Sequence, residues 1–419
     1  LFTGNNFHNF ESDIFLMDTL FKNSGQSQGV ELKKIGHKKQ IIRSIYFKGP
    51  VSSAELSRHL PLSTPKINSL LQELITEGFL KELGHGDSSG GRRPAIYGLI
   101  EESFYLIGIT INIHRTIVSV FNACNQEISG PHFVEVPMKK NIRMFDEIFD
   151  EVKVILQNLK IDQEKIIGVG IEMPGLVNQE SWMNKTYFPD VRNLNEYIAG
   201  VFGFPVFFDN DARIRTFAEQ QFGLAQGRQN VLMVHADWGI GLGLILNGQL
   251  YSGKSGFSGE FGHIPMMENG ELCHCGKRGC LEAIASVAAI SRKARHGMEG
   301  GIPSLLMKMA ENDLNKIDTN LVIHAARQGD QFSISLLTEV GHWLGKGITY
   351  LIQVINPELI IIGGKLAEAG QFFEAPLRQA ITTYTNPDIS GETEISFSIM
   401  GVKAGPIGAA AFAIDQLSQ

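Results

Sequence analysis

The chain has 419 residues, 43% of them hydrophobic and 19% charged, and a formal net charge of −7. At about 100–200 residues per domain this length gives two to four domains, and no apolar run reaches the roughly 18–20 residues that span a bilayer, which excludes a membrane-embedded reading. Four cysteines are too few for a disulfide framework. Leu1–Phe10 has neither the basic segment nor the apolar core of a secretory signal, so the expected compartment is the cytoplasm. The chain opens on Leu rather than Met, and further residues are expected upstream of it.

Residues 1–30 are rich in Asn, Ser, Gln and Phe and read as a loose extension, with one amphipathic helix over Phe10–Lys22. Residues 31–100 form a compact basic unit, with 11 Lys/Arg against 6 Asp/Glu on a chain that is acidic overall. A basic end on an acidic body points to a polyanionic partner. In Glu31–Lys48, Ile35, Ile41, Ile42 and Ile45 recur at near-helical spacing and Gly49-Pro50 stops the helix. Ser52-Ser53-Ala54-Glu55 is a capping box that opens a short helix running to His59. Thr64 caps the next helix, with Pro65 at its first position; Ile67, Leu70, Leu71, Leu74 and Ile75 form its buried stripe. Phe79–Leu83 and Ala95–Leu99 then read as two strands around the Gly-rich loop Gly84–Gly91.

Beyond residue 100, strands alternate with helices. The strands include Tyr105–Ile111, Ile117–Phe121, Ile166–Ile171, Val206–Phe208, Val231–His235, Gly243–Leu246 and Leu359–Ile362. The helices include Ile142–Leu159, Ala212–Phe222 and Phe332–Ile355. This is an α/β pattern with more than one sheet, divided here into a first lobe at 101–225 and a second at 226–419. No short-period repeat is visible.

Three helices followed by a hairpin is the order of a winged helix-turn-helix. Its second motif helix, Thr64–Glu77, would enter the DNA major groove by its N-terminal end. Ser63, Thr64, Lys66, Asn68 and Ser69 lie there: hydroxyls suit phosphate or base edges, Asn suits adenine, and Lys suits phosphate or guanine. The hairpin tip adds Arg92 and Arg93, the kind of guanidinium that reads a narrow minor groove.

His263, Cys273, Cys275 and Cys280 follow the spacing H-x9-C-x-C-x4-C. One imidazole and three thiolates make a closed tetrahedral set, the structural kind of zinc site. His274 is a rival fourth ligand, and redox-active thiols are the other reading, weakened by the lack of a C-x-x-C pair.

The residues around this cluster resemble the ROK family of repressors, open reading frames and kinases. The run Gly259-Glu260-Phe261-Gly262-His263, the three cysteines and Gly279-Cys280-Leu281-Glu282 resemble its zinc signature. Asn356–Gly364 resembles its C-terminal nucleotide-side motif, and Gly168–Gly175 its early sugar-domain strand and loop. The resemblance covers about residues 30–415, because the family's repressor branch carries a winged helix-turn-helix with a Gly-Arg-Arg-Pro-like wing. It implies a two-lobed, actin-like fold of the sugar-kinase and ribonuclease H type, with a sugar in the cleft. It further implies that Asp211 stands where the kinases keep their catalytic base, and that Gly175, Asn210, Glu260, His263 and Glu282 stand at sugar contacts, with His263 serving zinc and sugar together. The bare residues leave another role for Asp211, as the cap of the helix that follows it.

The sequence departs from the kinase pattern at the phosphate loops. The family's first loop is Asp-x-Gly-Gly-Thr-like; here it reads Thr110-Ile111-Asn112-Ile113-His114, without the acid and without the glycines that let backbone N–H groups approach phosphate. In the second loop, Asp237 and Trp238 replace a Gly and a small Thr. The expectation is therefore a regulator, a repressor in the first instance, that binds double-stranded operator DNA, senses a sugar or sugar phosphate, holds structural Zn2+ and works as a homodimer or higher oligomer. The alternatives are an ATP-dependent sugar kinase using Asp211, and a zinc sensor.

Overall fold

The computed structural model describes residues 28–86 and 93–419. Phe10–Lys22, nearly all of the expected extension and Arg92 lie outside the described residues. Two units emerge: the described residues up to Ile214 together with Lys403–Gln419, and Arg215–Val402.

The first unit begins with the basic head. Helix α1 (Gln28–Lys48) ends where the Gly49 N–H bonds the Ile45 carbonyl at 2.9 Å. Strand β1 (Val51–Ser52) leads into α2 (Ser53–His59), and the expected capping box is formed: the Glu55 N–H donates to Ser52 Oγ at 3.2 Å and the Ser52 N–H donates to Glu55 Oε2 at 2.8 Å. Helix α3 spans Thr64–Thr76, so Thr64 is its first residue rather than its cap; Ser63 holds the cap position without a side-chain bond. Ile67, Leu70, Leu71 and Leu74 are completely buried, whereas Ile75 is only half-buried. Strands β2 (Leu80–His85) and β3 (Ala95–Leu99) form the hairpin, and β1 adds to β3 as a third strand. Two residues are too few for an alternating pattern to show, so β1 is invisible in sequence. The buried Lys38 ammonium ties α1 to α3 through Glu73 at 2.9 Å and Glu77 at 2.6 Å.

The sheet of the first unit comes from β4 (Tyr105–Ile111), β5 (Thr116–Asn122), β6 (Glu127–Val134), β7 (Ile166–Met173) and β8 (Val206–Asn210), in the order β8-β7-β4-β5-β6. Helices α4 (Met144–Leu159) and α5 (Leu194–Phe202) pack their apolar faces on it. Strand β6 escaped sequence reading because Gly130-Pro131 argues against a strand; it lies at the sheet edge, where Pro is tolerated. Helix α6 (Asp211–Phe222) follows β8.

The second unit contains β9 (Val231–Ala236), β10 (Ile240–Leu246), β11 (Gln249–Leu250), β12 (Leu359–Gly363) and β13 (Glu394–Phe397), ordered β11-β10-β9-β12-β13. In both sheets three antiparallel strands are extended by two parallel ones, joined first to the opening strand. The fold thus repeats a plan that no sequence period announces. Helices α7 (Leu281–Ala285), α8 (Val287–Glu299), α9 (Thr319–Arg327), α10 (Gln331–Ile355) and α11 (Gln371–Tyr384) supply much of this unit's core. Asp330 caps α10: it accepts the Ser333 N–H at 2.8 Å, the Leu305 N–H at 2.7 Å and the Ser304 hydroxyl at 3.0 Å. Asp330→Ala is expected to cost about 2 kcal/mol, read as a lowered thermal midpoint; a midpoint within error of wild type would contradict it.

Helix α12 (Ala404–Leu417) returns to the first unit and lies on β4 and β7. This corrects the expected second lobe, which ran to residue 419. Residues 404–406 and 408–415 are buried, so the helix is apolar nearly all round and gives no 3.6-residue period to read. Its far end meets the head, where Arg43 Nε donates to Asp415 at 2.7 Å. Close by in sequence, the Tyr46 hydroxyl donates to Asn125 of the first unit at 2.8 Å. No helix among the described residues is long and apolar enough to cross a membrane.

Candidate functional site

The expected metal ligands assemble in the second unit. His263 Nδ1 lies 3.5 Å from Cys273 Sγ, Cys275 Sγ lies 3.6 Å from Cys280 Sγ, and the four donor atoms all fall within 4.8 Å of one another. A tetrahedron built on zinc bonds of about 2.0–2.3 Å has edges of roughly 3.5–3.8 Å, so this donor set fits such an ion. The knuckle is shaped by its backbone: the Cys273 N–H bonds the Lys277 carbonyl at 2.8 Å, and Gly279, at φ 71°, sits where a Cβ would be 1.7 Å from the Met267 carbonyl oxygen. Burial, and then the neighbouring thiols, push Cys280 up to about 12. Burial lowers His263, which favours the neutral ring that a metal ligand requires.

His274, the rival ligand, is engaged elsewhere. Its Nδ1 is 3.0 Å from Glu282 Oε1 and 3.9 Å from Cys273 Sγ. His263, His274 and Glu282 also form a possible ligand group, but three thiolates make the cysteine set the stronger one for a borderline-soft ion. Glu282 Oε2 accepts the Ile240 N–H at 2.9 Å. Burial opposes its charge, but His274 and the Ile240 N–H outweigh burial and hold the carboxyl below its usual range. Glu260 stands on the other side of His263, 3.8 Å from Nε2. Of the expected sugar contacts, Glu260, His263 and Glu282 therefore share one neighbourhood.

Gly175, Asn210 and Asp211 share another, in the first unit. Asn210 Nδ2 donates to the Gly175 carbonyl at 3.1 Å, while Asn210 Oδ1 accepts the Ala212 and Arg213 N–H groups at 3.0 and 3.4 Å. The capping role weighed for Asp211 thus falls to Asn210. Asp209, completely buried, is clamped by Arg213 Nε at 2.9 and 3.0 Å and by Gln179. Sequence reading missed this clamp; the signal was an Arg one helical turn after the Asp. It also missed Glu172, a lone acid in the buried strand β7, whose Oε2 lies 3.3 Å from Thr110 Oγ1.

In both altered loops a side chain takes backbone amides. Asn112 Oδ1 accepts the His114 and Arg115 N–H groups, each at 3.0 Å. Asp237 accepts the Trp238 N–H at 2.8 Å through one oxygen and the Lys365 N–H at 3.2 Å through the other. In the head, Ser63, Thr64, Lys66, Asn68 and Ser69 are all exposed around the N-terminal turns of α3, and Arg93 is exposed beside the hairpin.

Two helix-backed sheets of one common plan, the second unit carrying a knuckle of one histidine and three cysteines, define the kinase-like class of body that the sequence implies. Residues 107–416 match the model of the ROK family, and the chain belongs to that family. The xylose repressor of Bacillus spizizenii is 28% identical over 386 residues, covering 92% of this chain and 96% of that protein. The DNA-binding transcriptional dual regulator NagC of Escherichia coli K12 is 27% identical over 365 residues, covering 86% of this chain and 88% of that protein. A crystal structure of a ROK family transcriptional regulator, a homologue of the E. coli Mlc protein, matches with a TM-score of 0.75 at 25% identity, over 91% of this chain and 97% of that one. Its likeness extends to the head as well as the body.

Proposed function

We propose that the chain is a sugar-responsive transcriptional regulator, and a repressor, that binds double-stranded operator DNA through a winged helix-turn-helix head. The observation that carries this reading is the exposed polar start of α3, on a helix whose opposite face is completely buried. A helix held in this way presents short polar side chains to a groove without loosening its own core. Named relatives that span nearly the whole chain are repressors of xylose and N-acetylglucosamine systems by name, which supports a carbohydrate effector. Glu260, His263 and Glu282 are the candidate sugar contacts of the second unit, and Gly175, Asn210 and Asp211 are those of the first unit. A structural Zn2+ on His263, Cys273, Cys275 and Cys280 would fix the knuckle that leads into α7, the helix that carries Glu282, and would neutralise the charge of three thiolates. Palindromic operators favour a homodimer or larger symmetric assembly.

The occupied amides weigh against the kinase reading, since Asn112 takes two N–H groups of the first loop and Asp237 one of the second, and amides so engaged are not free for a phosphate. The deciding experiment is a thermal-shift screen of sugars and sugar phosphates, followed by operator release with any ligand that stabilises the protein. A sugar that raises the midpoint and releases DNA supports the proposal; ATP-dependent turnover of that sugar, lost in Asp211→Ala, overturns it. The double variant Arg92→Ala, Arg93→Ala is expected to weaken operator binding and to flatten its salt dependence by up to about two counterions. An unchanged slope in a salt titration would remove the wing from the interface.

A further inference from the structure

We infer that His274 is a positioning residue for the effector site, fixing the Glu282 carboxylate so that it presents both oxygens to two adjacent hydroxyl donors. The inference rests on the sugar-sensor reading and adds a residue that the family resemblance does not supply. Three elements meet at Glu282. The Ile240 N–H, at the start of β10, takes Oε2 at 2.9 Å. His274, at the tip of the cysteine knuckle, takes Oε1 at 3.0 Å. Gly239 makes room for Oε2, since a Cβ at that position would lie 2.5 Å from the oxygen.

Each carboxylate oxygen has about two acceptor directions. One on each oxygen is used within the protein, which leaves a second on each for a ligand. Two acceptors on one planar carboxylate match a pair of neighbouring hydroxyls, so the chemical class is a polyol with a vicinal diol. A carboxylate free to rotate would lose side-chain entropy on binding such a ligand; one held at both oxygens has already lost it. The His274 ring is in turn set by its surroundings. It lies edge-on to the His263 ring, with centroids 5.0 Å apart, and its backbone is fixed between Cys273 and Cys275. The ligand loop of the metal and the ligand-facing carboxylate are thereby joined through one imidazole.

The test uses the full-length, zinc-loaded protein. D-xylose, N-acetyl-D-glucosamine and D-glucose are titrated calorimetrically, and whichever binds becomes the probe. His274→Ala is expected to raise its Kd about tenfold, with the zinc content per chain unchanged. His274→Asn, which keeps a donor near the Nδ1 position, is expected to recover to within about threefold of wild type. An unchanged Kd in His274→Ala overturns the inference, as does no recovery in His274→Asn. Loss of zinc in either variant also overturns it, by making His274 a metal ligand.

Should none of the three sugars bind wild type, the sensor reading loses support, and the His274 contact is decided separately. Ring 15N spectra of selectively labelled histidines then compare wild type with Glu282→Gln. A shifted His274 Nδ1 signal supports the positioning contact, and an unshifted one refutes it.

Discussion

Gly170→Ala is expected to be among the most damaging single changes in the chain, lowering stability by about 4 kcal/mol or more. The Cβ it adds would lie 1.8 Å from the Ala409 carbonyl oxygen and 2.3 Å from its carbon, both backbone atoms of α12. Gly108 on the neighbouring strand is in the same position against Pro406, at 2.0 Å from its carbonyl oxygen. A flexible side chain could swing aside from such an intruder, but a helix backbone packed along its whole length cannot. The helix must lift from the sheet, uncovering the buried faces of β4 and β7 and moving the Asp415 carboxylate that holds Arg43 of the head. Thermal unfolding should show a midpoint lower by about 8 °C or more, and operator binding should weaken with it. A soluble Gly170→Ala protein with the wild-type midpoint would contradict the packing described for α12.

Cys280→Ser carries the second large effect. Cys280 is completely buried and lies 3.6 Å from Cys275 Sγ, so serine leaves three donors and a hydroxyl too hard to replace a thiolate well. The variant is expected to lose its zinc and to melt about 10 °C lower. A chelator should bring wild type to the same midpoint, whereas Cys124→Ser, whose sulfur lies in the first unit 3.5 Å from the Leu99 carbonyl, should keep both zinc and midpoint. A Cys280→Ser protein that kept the wild-type midpoint and changed only its DNA affinity would favour a zinc sensor instead.

What the sequence disclosed, it disclosed through local chemistry. The capping box at Ser52–Glu55 needs only four residues and appears with both of its bonds. The candidate metal ligands are close in sequence, so their spacing already constrains their geometry. Strand β4 was legible because an almost wholly apolar run stands between the polar turn at Glu101–Ser103 and the turn-forming Asn112. What stayed hidden depends on distant partners. Helix α12 has no polar face to give it a period, because it is buried against strands that lie far earlier in the chain. The Gln179–Asp209 contact joins residues whose closeness is set by the fold. The repeated sheet plan is a property of strand order, which hydrophobic pattern alone does not encode.

The return of α12 also sets an order of events during synthesis. The head and the strands β4 to β8 leave the ribosome first, yet the helix that covers β4 and β7 follows only after the whole of residues 215–402. At about 5–20 residues per second, the nascent first unit waits on the order of ten seconds or more with that face uncovered. During this interval the Asp415 partner of Arg43 does not yet exist. A nascent chain therefore carries an unlatched head, and the latch closes only once residues 215–402 have been made. A fragment that ends within residues 215–402 lacks this latch and the cover that α12 gives β4 and β7.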